Sequence, residues 1–163
     1  MSAAVSLDRL DFKLLDHLQR NGHCSNVELA AAVGLSPSPC LARVKRLSEA
    51  GVLRGFDANI DLEKLGEFIT VFSEITIGEH RRNSFRIFEQ AAENLPEITD
   101  CYNVSGGCDY ILKITAASMS RFSEIRDHLI ELDVGIIKFS TKIVLRKAFA
   151  SRTVPLRSLK LEG

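Results

Sequence analysis

No apolar run in this 163-residue chain approaches the roughly 18 residues that cross a bilayer, and the opening MSAAVSLDRLD lacks the basic end and apolar core of a signal peptide. Four cysteines, Cys24, Cys40, Cys101 and Cys108, are scattered with no CxxC pair, which argues against a disulfide framework or a zinc ribbon. Charge of one sign is missing as well: 21 Lys+Arg balance 21 Asp+Glu. Seven of each sign lie in residues 1–62 and fourteen of each in residues 63–163, so neither half is a charged tail. Any nucleic-acid contact must therefore come from a local patch rather than bulk attraction. Internal repeats and low-complexity tracts are absent too. What remains, 45% hydrophobic and 26% charged residues, is the balance of an ordinary globular protein. A cytoplasmic location with no membrane partner is the expectation.

The first 50 residues read as three helices. Leu7, Leu10, Leu14 and Leu18 fall on one helical face that ends by Asn21-Gly22. Ser25 and Glu28 have capping-box spacing and start a short second helix, after which Gly34 permits a sharp turn. Ser36-Pro37-Ser38-Pro39 opens a third helix, with either serine able to cap it, and Gly51 stops it. Residues 52–60 resemble one or two short strands around a glycine turn, and residues 61–66 a linker.

Beyond it the rhythm changes. Ile69, Val71, Ile75 and Ile77 alternate as a strand face; Phe85, Phe88, Ala92 and Leu95 form a helical stripe. Residues 98–105 suit a strand, Gly106-Gly107 a turn, and Tyr110, Leu112, Ile114 and Ala116 alternate again. Phe122, Ile125, Leu129 and Leu132 make a second stripe; Ile137, Phe139, Thr141, Ile143 and Leu145 read as one face of a last strand. The order β-α-β-β-α-β is the ferredoxin-like arrangement, with one sheet face left for a partner chain. The expected class is α+β, divided into residues 1–62 and 63–163.

A short helix, a tight turn and a longer helix make a helix-turn-helix pattern, whose second helix enters the DNA major groove. On that helix Leu41, Val44 and Leu47 are expected inside. Ser38, Ala42, Arg43, Lys45 and Arg46 point elsewhere and, with Arg54, form the one concentrated positive patch of the first part. Arg43 and Arg46 suit guanine or phosphate, Ser36 and Ser38 suit phosphate oxygens at a helix start, and Ala42 lets the backbone approach. Arg54 belongs to the expected strand pair. A solvated amphipathic helix is the plainer alternative.

Several segments then resemble one family. Leu7-Asp8-Arg9-Leu10-Asp11, Glu28-Leu29-Ala30, Val33-Gly34-Leu35-Ser36, the run from Ser36 to Leu47, Gly51-Val52-Leu53 and Ser105-Gly106-Gly107-Cys108-Asp109-Tyr110 are similar to the Lrp/AsnC feast–famine transcription regulators, over roughly residues 6–157. The resemblance implies a winged helix-turn-helix followed by an α/β-sandwich that dimerises through its sheet. It also implies assembly into rings, often octamers, and a small effector, usually an amino acid, held where dimers meet. Carried onto this chain, the effector contacts fall on Ser105, Gly106, Gly107, Asp109 and Tyr110. A glycine turn exposes N–H groups to a carboxylate, and an adjacent aspartate can receive an ammonium; Asp109 equally suits a turn that satisfies its own backbone. Ser105 stands where the family more often has threonine, and His23 where it often has arginine.

These readings describe a DNA-binding regulator, not an enzyme, without metal or cofactor beyond the effector. Sirohaem decarboxylases resemble the same layout, but Arg54-Gly55-Phe56-Asp57 stands where they tend to have an Arg-Arg-Ile-Gly-like stretch. Cys101 and Cys108 match no metal-ligand spacing. His17, His23, His80 and His128 read as surface or structural, Arg81-Arg82 as a helix start, and Arg152–Lys160 as a tail that caps the domain or reaches a neighbour.

Overall fold

The computed structural model describes residues 6–58, 60–78, 82–149 and 153–156. His80, Arg81 and most of the tail lie outside the described residues. The chain divides into two compact units, residues 1–59 with 150–163, and residues 60–149.

In the first unit, α1 (Arg9–Arg20) begins at Asp8, whose carboxylate accepts from the N–H groups of Leu10 and Asp11, while Asp11 accepts from the Asp8 N–H. This reciprocal cap satisfies donors that a helix start otherwise leaves free. The helix α2 (Asn26–Val33) begins at Ser25 in the same way with Glu28. It ends at Gly34, whose φ of 78° is the left-handed geometry that turns the chain sharply. Ser36 is the N-cap of α3 (Pro37–Glu49), without a side-chain cap bond. Leu14, Leu18, Leu29, Ala30, Val33 and Cys40 form the small core, with Val44 and Leu53 packed against it. Val154 exchanges two hydrogen bonds with the Gln19 amide, so this part of the tail caps α1.

No strand forms among the described residues between 52 and 58, contrary to the expected strand pair. Phe56 and Val52 are exposed there, and this stretch buries too little to align a ladder. A single 3₁₀ turn, Leu62–Lys64, interrupts the linker.

The second unit runs β1 (Ile69–Ile77), α4 (Arg82–Glu93), β2 (Ile98–Asn103), β3 (Tyr110–Ala116), α5 (Met119–Ile130) and β4 (Ile136–Ile143). The antiparallel sheet has the order β2-β3-β1-β4. Val71, Ile75 and Ile77 meet Leu112 and Ile114 on the face covered by Phe88 and Ala91 of α4 and Phe122, Ile125 and Leu129 of α5. The opposite face carries Phe72, the Lys113–Asp100 pair at 3.3 Å and the Lys142–Glu74 pair. One expectation changes: Phe139 packs on the core as expected, but Ile137 and Leu145 are exposed and Ile136 takes the inward place beside it. The register shift opposite Thr76 and Ile77 leaves Ile137 as an extra residue of β4, so the alternation slips by one only at that end, and the strand stops at Ile143.

Candidate DNA-reading helix and effector loop

The start of α3 is fixed by its neighbours. The Asn26 amide donates to the Pro37 carbonyl at 2.8 Å, and Leu35 N–H bonds Ala30 O at 2.9 Å across the turn. Cys40 and Leu47 anchor the inner face, and Val44 is half-buried. Ser36, Ser38, Ala42 and Lys45 are exposed as expected. Leu41 is not inside: 58% of its surface is exposed, because a core this small is already closed by Cys40, Val44 and Leu47.

The positive patch is largely neutralised. Arg43 Nη1 donates to Asp8 Oδ2 at 2.6 Å and to Asp11 Oδ1 at 3.0 Å, while Arg46 Nη2 donates to Asp11 Oδ2 at 2.6 Å and Nη1 to the Ser6 carbonyl at 3.3 Å. Asp11 is fully buried, whereas the Arg43 and Arg46 side chains remain 28% and 45% exposed. Burial pushes the Asp11 carboxyl upward, but bonds from Arg46, the Asp8 N–H and Arg43 outweigh it and hold it below its ordinary value. The Asp8 carboxyl is held low first by the Asp11 N–H and then by Arg43. Two cations and two anions thus fasten the flank of α3 to the start of α1, around an open recess lined also by Ala42. Lys45 is exposed, 3.7 Å from Glu49. Arg54 is exposed on irregular backbone rather than on a strand.

In the second unit the β2–β3 connection presents Ser105, Gly106 and Gly107 at its exposed tip. Gly106 has φ 123°, where a Cβ is strained. The base of the loop is pinned: Val104 N–H and the Asn103 amide donate to Asp109 O at 2.9 and 3.0 Å, and Asp109 N–H donates to Ile75 O at 2.8 Å. Asp109 Oδ2 accepts from the Ile77 N–H at 2.7 Å. The carboxylate therefore ties the hairpin to the end of β1, a role set by tertiary pairing and invisible in a Gly-x-Asp motif. Tyr110 is a core residue, its ring tilted against Phe88 and Phe85 with centroids 4.7 and 5.8 Å away. Its hydroxyl donates to Glu89 at 2.7 Å; burial and then that bond push it above its ordinary value. It borders a cleft of about 310 Å³ between α4 and β2, with Glu89, Cys101 and Asn103. Among the described residues no group of three His, Cys, Asp or Glu side chains is placed to hold a metal ion.

A family model described as winged helix-turn-helix DNA-binding matches residues 7–54, and one described as the Lrp/AsnC ligand binding domain matches residues 70–154. The chain belongs to the Lrp/AsnC family. This Lrp/AsnC chain is 37% identical over 142 residues to the transcriptional regulatory protein DoeX of Halomonas elongata, covering 87% of this chain and 90% of that one. It is 36% identical over 152 residues to the leucine-responsive regulatory protein of Escherichia coli strain K12, covering 93% of each. Among solved structures it is similar to a transcriptional regulator from Neisseria meningitidis in complex with L-Met, with TM-score 0.83, 31% identity, and 94% and 99% of the two chains covered. An AsnC family regulator from Agrobacterium tumefaciens superposes with TM-score 0.84 at 28% identity, over 94% and 99%. As a Lrp/AsnC member the chain is a transcriptional regulator with a DNA-binding and a ligand-binding part.

Proposed function

We propose that residues 1–62 read a pseudo-palindromic DNA site through α3, and that residues 63–163 bind an amino acid at the β2–β3 loop and carry self-association. The observation that carries the DNA half is the outward row of small and cationic side chains on α3, fastened on one flank to α1. In this reading Ser36 and Ser38 meet phosphate oxygens at the helix start, Ala42 and Lys45 approach the groove, and Arg54 follows the backbone beyond. Arg43 and Arg46, half engaged by carboxylates, clamp phosphates beside the groove rather than leading base recognition.

Ser105, Gly106 and Gly107 contact the effector, Asp109 offers its second oxygen to an ammonium, and Tyr110 acts from behind as a packed wall. Relatives named leucine-responsive and a neighbour solved with L-Met make leucine and methionine the first amino acids to test. The open sheet face with Phe72 supports dimerisation, and dimers associate further into an octamer in the cytoplasm. The effector acts by binding one assembly better than another, since equal affinity shifts nothing.

The deciding experiment titrates the protein onto DNA from upstream of its own gene at two salt concentrations, with and without the twenty amino acids. Tight, salt-sensitive binding that the pool alters is expected; no preference over random DNA and no response would overturn the reading. Two substitutions should move the salt dependence in opposite directions. Arg43→Ala removes a phosphate clamp and flattens the log K against log salt slope by about one. Asp8→Asn keeps an oxygen for the helix cap yet removes one of the two anions that hold Arg43, leaving only Asp11, so affinity for random duplex rises and the slope steepens by up to about one. Unchanged slopes in both would remove this flank from the interface.

A further inference from the structure

Leu41 is a large apolar side chain held in water one residue away from the buried Cys40. It shares the outward face of α3 with Ser38, Ala42 and Lys45, at spacings of three, one and four residues, and all four are exposed. Ser38 and Ala42 are short, so Leu41 projects furthest among the uncharged members of this row. The guanidinium groups of the same helix are turned to the other flank by Asp8 and Asp11.

The partner that fits this row is defined by its chemistry. The first turn of α3 contains no acidic residue, and the charge nearest Leu41 along the row is Lys45, with its partner Glu49 one turn beyond, which favours a polyanion over an acidic-rimmed protein groove. Major-groove base edges present hydrogen-bonding groups everywhere except at one apolar feature, the thymine C5-methyl. A leucine has no polar atom with which to read the other positions, and a polar edge facing it would lose its water without compensation. Drying both apolar groups against each other is the one favourable contact available to Leu41 in that groove.

We propose that Leu41 is a specificity-determining residue that reads a thymine through its methyl group, with Ser38 and Ala42 leaving room for the helix to seat at that depth. The proposal rests on α3 being the helix that enters the groove.

The test uses the full chain and the duplex it prefers from a random pool, with each thymine replaced singly by deoxyuridine, which removes only the methyl. Wild-type protein is expected to lose roughly three- to tenfold in affinity at one thymine in each half-site. Leu41→Ala should bind the unmodified site more weakly by a similar factor and show no further loss at that thymine, whereas Leu41→Met should retain methyl sensitivity. Because Leu41 is mostly exposed, circular dichroism should report unchanged folding in both variants. A preferred site with no methyl-sensitive thymine, or an alanine variant with the same methyl penalty as wild type, overturns the proposal. So does an alanine variant of unchanged DNA affinity, which would assign Leu41 to a protein contact. If wild type prefers no sequence at all, the groove-entry reading itself fails.

Discussion

Replacing Asp11 with alanine is expected to destabilise the first unit by about 2–4 kcal/mol and to abolish sequence-specific DNA binding. Three donors converge on this buried carboxylate: the Arg46 and Arg43 guanidinium groups and the Asp8 N–H. Its removal breaks the helix cap and leaves both arginines without their shared anchor at once. Their partial exposure limits the cost, since water reaches each of them. Thermal unfolding followed by circular dichroism should show a loss of roughly 10 °C or more for the helical unit. A loss under a few degrees would mean that Asp8 alone holds the flank. The same pair sets an acid limit. Both carboxyls titrate below the ordinary value of 3.8, so their contribution is present above that value and is lost as pH falls beneath it. Asp8→Asn should make the acid transition of the helical unit shallower.

The second large effect is expected at Asp109. Allosteric coupling between two sites typically amounts to about 5- to 150-fold in affinity, and Asp109→Ala should reduce that of the effector to less than twofold while DNA affinity without effector survives. Two causes would produce that loss: an ammonium without its anion, or a loop without its peg on the Ile77 N–H. Asp109→Asn separates them, because its amide oxygen can still accept from Ile77 while the charge is gone. Loss in both variants assigns the carboxylate to the ligand; loss in alanine alone assigns it to holding the loop. A normal response from both variants places the ligand elsewhere. The measurement is DNA affinity with and without the active amino acid.

Local signals in the chain were readable because neighbours in sequence satisfy them. Ser25 and Glu28 cap α2 through bonds three residues apart, and the alternation of Val71, Ile75 and Ile77 follows directly from strand geometry. The features missed depend on distant partners. Asp8 and Asp11 look like ordinary surface acids until a helix more than thirty residues later places two arginines upon them. Leu41 fits a helical stripe by spacing, yet Cys40 takes the inward position, which periodicity alone cannot decide. Ile137 is the extra residue of β4, bulged opposite Thr76 and Ile77, and only the pairing with β1 reveals it, since alternation within residues 136–145 carries no sign of a bulge. Ser105, Gly106 and Gly107 were legible as a turn, but the backbone pins at Ile75 and Ile77 required the fold.

Cys40 gives the helix that carries Leu41 and Lys45 its own chemical clock. Its thiol is fully buried beneath α3, and burial pushes it above its ordinary value, so an alkylating reagent meets it only when that helix lifts away from α1 and α2. Cys101 is exposed and Cys108 half-buried in the other unit, so neither waits for such an event, while Cys24 is half-buried against the same core as Cys40. Modification of Cys40 thus counts the moments at which α3 detaches, and a duplex bound along α3 as proposed would lengthen the interval between them.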